Sequence, residues 1–206
     1  MKNIPDATVK RLSLYYRILQ PLSIQGTHEI SSKNLASLLA INPAQVRKDL
    51  SYFGTFGKRG AGYNVSQLVA KIAEILGISE ERKVIIVGAG NLGSALAAYH
   101  GFEVFGFKVC ALFDTDTHKT GKKIKGIPCY NIKELIQFVK NEKIKMAVIA
   151  VPAQFAQQIA SVIVSSNIKA ILNFAPVRIN IPPDVKVNNV DLALELKSLS
   201  YFLKNI

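Results

Sequence analysis

The 206-residue sequence has no tryptophan, two cysteines, two methionines and three histidines. Two thiols, Cys110 and Cys129, are too few for a disulfide framework and do not stand at metal-ligand spacing. His28, His100 and His118 are scattered along the chain, so neither a zinc site nor any other metal partner is expected. No apolar run approaches the ~20 residues that a membrane-crossing helix requires. The opening MKNIPDATVKRL turns polar too soon for a secretory signal. A cytoplasmic protein with no membrane partner is therefore expected. Acids are scarce as well: 14 Asp and Glu stand against 26 Lys and Arg, a formal net charge of +12. Either a polyanionic partner or a generally lysine-rich surface accounts for that excess. Residues 1–78 hold ten basic and four acidic residues, and residues 79–206 hold sixteen and ten, so positive charge is denser in the N-terminal part.

What the chain does have is residues 83–96, KVIIVGAGNLGSAL. Val84-Ile85-Ile86-Val87 is an apolar, β-branched run suited to a strand buried on both faces. It ends in Gly88-Ala89-Gly90-Asn91-Leu92-Gly93, which fits G-x-G-x-x-G, and Leu92, Ala95, Leu96 and Tyr99 follow at helical spacing. In that context Gly88 allows the tight turn, Gly90 admits a pyrophosphate against the backbone, and Gly93 lets the helix lie on the strand. The unpaired amides at the helix start favour a phosphate. A further strand, Val109–Phe113, delivers Asp114 where a ribose-binding carboxylate belongs. Asp114 repels a 2′-phosphate, so the expected cofactors are NADH and NAD+. The basic loop Lys119–Gly126 is either a phosphate-recruiting feature or a solvated lysine cluster.

Beyond this fingerprint strands and helices alternate, which implies a parallel sheet with helices on both faces. Asn131-Ile132-Lys133-Glu134 opens a helix with a capping box, 146–151 is a buried strand, 155–165 a helix and 170–174 another strand. Val151, Pro152, Phe174 and Pro176 lie at strand C-terminal ends, where they either border the nicotinamide or serve as packing turns. Over Asp191–Leu203, Leu192, Leu196, Leu199 and Leu203 form one stripe, to be buried on the chain's own domain or on a partner subunit.

In residues 1–78, Asp6 is placed to cap a helix whose face is Val9, Leu12, Tyr16 and Leu19, with Pro21 ending it and Arg17 bordering the face. Ser31-Ser32 starts a short helix with Leu35, Leu38 and Leu39 inward. Asn42-Pro43-Ala44-Gln45 supplies a cap, a first-position proline and a capping-box glutamine to a third helix with Val46, Leu50 and Phe53 inward. The tight connection suggests a helix-turn-helix. Its outward face reads Gln45, Arg47, Lys48, Ser51 and Tyr52, side chains able to reach bases and phosphates in a major groove, though Arg47-Lys48 alone also suits a solvated face. Thr55–Tyr63 then reads as a hairpin tip carrying Lys58, Arg59 and Gly60, a shape able to enter a minor groove, which completes a winged-helix pattern. Val65–Leu76 is one more amphipathic helix, and 78–82 the domain boundary.

The segments QVRKDLSYFG (45–54), GKRGAGY (57–63), Gly88–Gly93, ILNFAP (171–176) and NVDL (189–192) together resemble the Rex family of bacterial redox-sensing repressors, nearly end to end. The resemblance implies an α/β protein in three parts. These are a winged helix-turn-helix domain over 1–78, a Rossmann-like NAD(H)-binding domain over 79–188, and a C-terminal helix, 189–206, swapped to the other subunit of a homodimer. It implies repression at double-stranded operator DNA with an inverted repeat while NAD+ prevails, and release when NADH binds. It points to Arg17, Tyr99 and Asp191 as a polar set that changes in the switch. Leu192, placed to shield the nicotinamide, stands where some relatives carry phenylalanine.

Two other classes compete with that expectation. A small dehydrogenase needs an acid or base beside the nicotinamide, but His100 has no evident catalytic partner and no catalytic residue is assigned. A nucleotide- or CoA-binding module with an unrelated N-terminal domain is the third reading.

Overall fold

The computed structural model describes residues 4–54, 56 and 62–204. The chain divides into two compact units, Met1–Glu80 and Glu81–Ile206.

The first unit comprises α1 (Asp6–Ile24), β1 (Glu29–Ile30), α2 (Ser32–Leu38), α3 (Pro43–Ser51), β2 (Tyr63–Asn64) and α4 (Val65–Leu76). Its core gathers Leu12, Tyr15 and Leu19 of α1 with Leu35, Val46, Leu50, Leu68 and Ile72. Several local expectations are corrected. Pro5, not Asp6, flanks the start of α1, and Asp6 is its first helical residue. The buried stripe is Thr8, Leu12, Tyr15 and Leu19, so Val9 is exposed and Tyr16 only half-buried. Pro21 does not end α1, which runs on to Ile24; the proline forfeits a single helical hydrogen bond. Leu38 faces solvent.

Ser31 Oγ accepts the Asn34 N–H at 3.0 Å and starts α2. Asn42 Oδ1 accepts the Ala44 N–H at 2.8 Å, with Pro43 first in α3. β1 and β2 pair antiparallel, Ile30 opposite Tyr63. The expected hairpin tip falls largely on positions 55 and 57–61, so Lys58, Arg59 and Gly60 lie outside the described residues.

The second unit runs β3 (Arg82–Val87), α5 (Asn91–Ala97), α6 (Gly101–Val104), β4 (Phe107–Asp114), β5 (Lys123–Ile124) and β6 (Ile127–Asn131). A 3-10 turn over Ile132–Glu134 leads to α7 (Leu135–Glu142), then β7 (Met146–Ile149), α8 (Ala153–Ser165), β8 (Ala170–Asn173), β9 (Lys186–Asn189) and α9 (Leu192–Leu203). The sheet order is β5-β6-β4-β3-β7-β8-β9, with every neighbouring pair parallel except β5 with β6. The chain moves outward from β3 through β4 to β6, then returns to β7 on the other side of β3. That reversal opens a crevice at the C-terminal ends of β3 and β7, where such sheets bind ligands.

Successive residues of β3 serve opposite faces. Ile85 and Val87 pack with α7 and α8 through Leu135, Val139, Ala156 and Ile163, whereas Val84 and Ile86 pack with Leu96 and Ala97 of α5. The expected capping box is present: Asn131 Oδ1 accepts the Lys133 N–H and Glu134 reaches back to the Asn131 N–H at 2.9 Å. The helix after the glycines ends at Ala97, short of Tyr99. β5, β6 and β9 have no counterpart in the hydrophobic pattern, and β5 lies inside the segment read as a basic loop.

Two glycines set the approach of α5 to β3. Gly88 has φ +103°, and a Cβ there would strike the Ala150 carbonyl oxygen; a Cβ on Gly93 would strike the carbonyl oxygen of Gly88. Gly93→Ala should therefore destabilise the chain by at least about 2 kcal/mol, measured by urea denaturation. Gly90→Ala, whose Cβ meets open space, should leave the midpoint nearly unchanged.

Candidate functional site

The crevice is a cleft of about 480 Å³, lined by Gly88 and Gly90 of the turn, Asp114 and Lys119, and Val151 and Pro152 after β7. Its apolar wall is Ile132 with Phe155, Ile159 and Val162 of α8, beside Gln158. Asp114 ends β4 with its side chain fixed: Oδ2 accepts the Ala89 N–H at 2.7 Å and Oδ1 the Asp116 N–H at 2.9 Å. The carboxylate thus ties the end of β4 to the glycine turn and still faces the cleft. Lys119 Nζ stands 3.5 Å from Asp114 and 3.4 Å from Asp116. Burial works against the Lys119 charge, but the two carboxylates outweigh it and raise its pKa.

Five predicted residues, Gly88, Gly90, Asp114, Val151 and Pro152, come together here. Ala89 is buried and Gly93 lies under the turn, while Asn91 and Leu92 open α5. Phe174, Pro176 and Leu192 do not line this cleft. Phe174 packs against the α5-side core, and Pro176 and Leu192 are exposed. The α8 wall escaped the sequence reading, although Phe155, Gln158, Ile159 and Val162 follow helical spacing.

A dinucleotide fits the residues present. Gly90 leaves empty space where any side chain would intrude on a pyrophosphate, and Asp114 offers acceptors for ribose hydroxyls. Among the described residues no cluster of His, Cys, Asp and Glu could hold a metal ion. His100 is solvent-exposed, with the exposed Glu103 carboxylate 3.9 Å from its Nδ1. Cys110 is half-buried in a bulge of β4 and Cys129 is buried in β6.

On the first unit, α3 presents Arg47, Lys48 and Ser51 to solvent, with Tyr52 half-buried at its end. Arg47 Nη1 reaches Ser32 Oγ at 3.1 Å, and neither Arg47 nor Lys48 is paired with a carboxylate among the described residues. Gln45 departs from expectation. It closes no capping box and is turned inward, its Nε2 donating to Asp49 Oδ1 at 2.8 Å. Asp49, missed by the sequence reading, is fully buried and accepts four further hydrogen bonds. Arg11 donates from Nε and Nη2 at 2.6 and 2.7 Å, Tyr15 at 2.6 Å and Thr8 at 3.1 Å. Its signal was an acid beside the apolar stripe of α3, between Val46 and Leu50. Burial alone would raise the Asp49 pKa, but hydrogen bonds from Arg11, Tyr15, Gln45 and Thr8 prevail and hold it at about 2.

Of the three expected switch residues, Arg17 belongs to the first unit and Tyr99 and Asp191 to the second. Arg17 is exposed on α1. The Tyr99 ring stands edge-on to Phe102 with centroids 5.2 Å apart, and Asp191 caps α9 by accepting the Ala193 and Leu194 N–H groups at 3.0 and 3.2 Å. No hydrogen bond joins Tyr99 to Asp191 among the described residues.

Comparison with known proteins follows the same division. The family described as "Putative DNA-binding protein N-terminus" matches residues 3–51, and the CoA binding domain family matches 79–177. The redox-sensing transcriptional repressor Rex of Desulforamulus reducens is 46% identical, covering 97% of this chain and 95% of the relative. Among solved structures, RSP in complex with β-NAD+ and operator DNA superposes with a TM-score of 0.93 at 36% identity, over 100% of this chain and 94% of RSP. RSP in complex with β-NADH gives 0.87 at 34% identity, over 100% and 96%.

The Asp49 cluster has a pH signature. A carboxyl held at about 2, against an ordinary 3.8, contributes about 2 kcal/mol of stability that is complete above pH ~5 and lost as pH falls toward 2. Asp49→Asn should cost about 2–4 kcal/mol at neutral pH and flatten the stability profile across that acid window, both read from urea unfolding of the full chain.

Proposed function

The chain belongs to the Rex family of redox-sensing transcriptional repressors, and from that premise we propose that its two units are, respectively, the operator reader and the NADH/NAD+ sensor. The protein is a regulator, an NADH-responsive DNA-binding repressor, rather than a dehydrogenase. The observation that carries this reading is the presence in one chain of a glycine-turn cleft backed by Asp114 and a helix, α3, that turns Arg47 and Lys48 to solvent with neither paired to a carboxylate among the described residues. The CoA-named family match is compatible with it, because the Rex-family repressor RSP takes β-NAD+ and β-NADH on the same fold.

When bound, the dinucleotide supplies a nicotinamide ring whose charge and planarity change with redox state. Gly88–Gly93 give the pyrophosphate backbone amides and room, Asp114 accepts the adenosine ribose hydroxyls, and Val151 and Pro152 border the way toward the nicotinamide. Arg47, Lys48 and Ser51 read or position DNA, with the wing residues Lys58, Arg59 and Gly60 as minor-groove contacts. Gln45 serves the fold of α3 first.

Assembly follows from α9. Its apolar residues Leu192, Leu194, Leu196, Leu199, Tyr201, Phe202 and Leu203 are 58–72% exposed in the single chain. A stripe that wide requires cover, and a second copy of the chain provides it. A twofold dimer then matches an operator with an inverted repeat. Action on DNA places the protein in the cytoplasm on this reading; among the described residues no helix is long and apolar enough to cross a membrane.

The test is a gel shift with a duplex that the protein itself selects from random sequence. Saturating NADH should release the duplex and NAD+ should not; a duplex held equally with both would refute the reading. Arg47→Ala should cost ~1–3 kcal/mol and relax base preference.

For the switch set, Asp191→Ala should leave NADH binding intact by calorimetry while blunting its effect on operator affinity. A loss of affinity equal to that of the wild-type chain would exclude Asp191 from the signal.

A further inference from the structure

Lys119 lines the same cleft as Asp114, and the NAD(H) contacts proposed above do not use it. It opens a segment with four lysines, yet differs from the other three. Lys122, Lys123 and Lys125 are exposed around the β5–β6 hairpin, whereas Lys119 is half-buried and lines the cleft. The backbone places it there. The Asp116 N–H donates to Asp114 Oδ1, and the N–H groups of Lys119 and Thr120 both donate to the Asp116 carbonyl at 3.1 Å. This turn brings residue 119 back beside Asp114, so that Nζ straddles the Asp114 and Asp116 carboxylates at 3.5 and 3.4 Å.

The consequence concerns the 2′ position of the adenosine ribose, the only place where NADH and NADPH differ. A free 2′-hydroxyl is a donor, and Asp114 is the acceptor for it. A 2′-phosphate is an anion that Asp114 repels, but an ammonium group stands beside the same carboxylate oxygen. We propose that Lys119 is a specificity-determining residue of this cleft: a latent anchor for the 2′-phosphate of NADPH, kept occupied by Asp114 and Asp116. Asp114 thus discriminates twice, by repelling the phosphate and by engaging the cation that would receive it. The inference rests on the NAD(H) reading of the cleft.

Calorimetric titration of the full chain with NADH and with NADPH tests it, using wild type, Asp114→Asn, Lys119→Gln and the double variant. Asparagine keeps an oxygen for the Ala89 N–H while removing the charge. Asp114→Asn should weaken NADH, strengthen NADPH and narrow the preference between them by at least about tenfold. Lys119→Gln, at a half-buried turn position that disturbs no core, should lower the residual NADPH affinity several-fold and widen the preference. The double variant should lose the NADPH gain. The proposal is overturned if Asp114→Asn, folded by its melting curve, leaves the preference unchanged, or if the gain survives Lys119→Gln. Should Asp114→Asn fail to fold, Lys119→Gln decides alone, and an unchanged preference refutes the role. A wild-type chain that binds neither dinucleotide would instead bring down the reading of the cleft itself, a result distinguishable from the others.

Discussion

The nucleotide-binding unit depends on two backbones lying closer than a side chain permits. α5 presses onto the turn at Gly93, against the Gly88 carbonyl, and the turn itself passes under Ala150 at Gly88. Because β3 and β7 pair in register through Val87 and Ile149, this contact locks their C-terminal ends into one rim. Asp114 then ties in β4 through the Ala89 N–H. Three strand ends, one helix start and one carboxylate are thereby fixed relative to each other without any long side chain. The cleft owes its shape to that crowding, and the openness at Gly90 is the space left over.

How much of this could be read from the chain depended on whether a residue's partner was local. β3, β4, β7 and β8 are continuous apolar runs because both their faces are covered, and they are legible for that reason. β9, Lys-Val-Asn-Asn, is an edge strand with a single apolar side chain, and β5 is a two-residue strand among lysines. Neither carries a hydrophobic signal. In α1 the apolar pattern favoured Tyr16 over Tyr15, but Tyr15 is buried because its hydroxyl meets Asp49, 34 positions away. Gln45 had a plausible partner in the Asn42 N–H, but its amide turns instead to Asp49, one turn along the same helix, whose burial is set by the distant donors Arg11 and Tyr15. In the cleft, the glycine turn and Asp114 announce themselves by spacing. The Phe155–Val162 stripe does not, since periodicity reveals a buried face without saying whether protein or ligand covers it.

Asp49 shows what such a hidden partner does. Its two oxygens receive five hydrogen bonds from four side chains, two of them from the Arg11 fork. Replacing a buried ion pair wholesale with apolar groups is often no loss in stability, so the yield of this one lies in geometry. Only one placement of α3 against α1 satisfies every donor, and that placement decides which residues of α3 face outward. The outward face of α3 is accordingly narrower than the sequence suggested: Arg47, Lys48 and Ser51, with Gln45 withdrawn toward Asp49.

Sensing then has to come from something other than the parts that bind most evidently. NAD+ and NADH present the same adenosine, ribose and pyrophosphate to Gly88–Gly93 and Asp114, so those contacts contribute equally to both forms. A ligand that binds two arrangements equally shifts nothing, however tightly it is held. On the proposed reading, the glycine turn and Asp114 set how much dinucleotide is bound, Lys119 bears only on the 2′ position, and discrimination of redox state belongs to groups near the ring. Of the side chains proposed for that task, Tyr99 stands on the exposed segment after α5, Asp191 caps a helix whose described apolar residues are exposed, and Arg17 is exposed on α1. Elements held weakly within a single chain are the ones whose arrangement a small difference in ligand affinity can bias. Under the proposed function, the rigid rim would supply affinity and the loosely held elements response, a division that would let the cleft bind both redox forms while only one changes the state of the repressor.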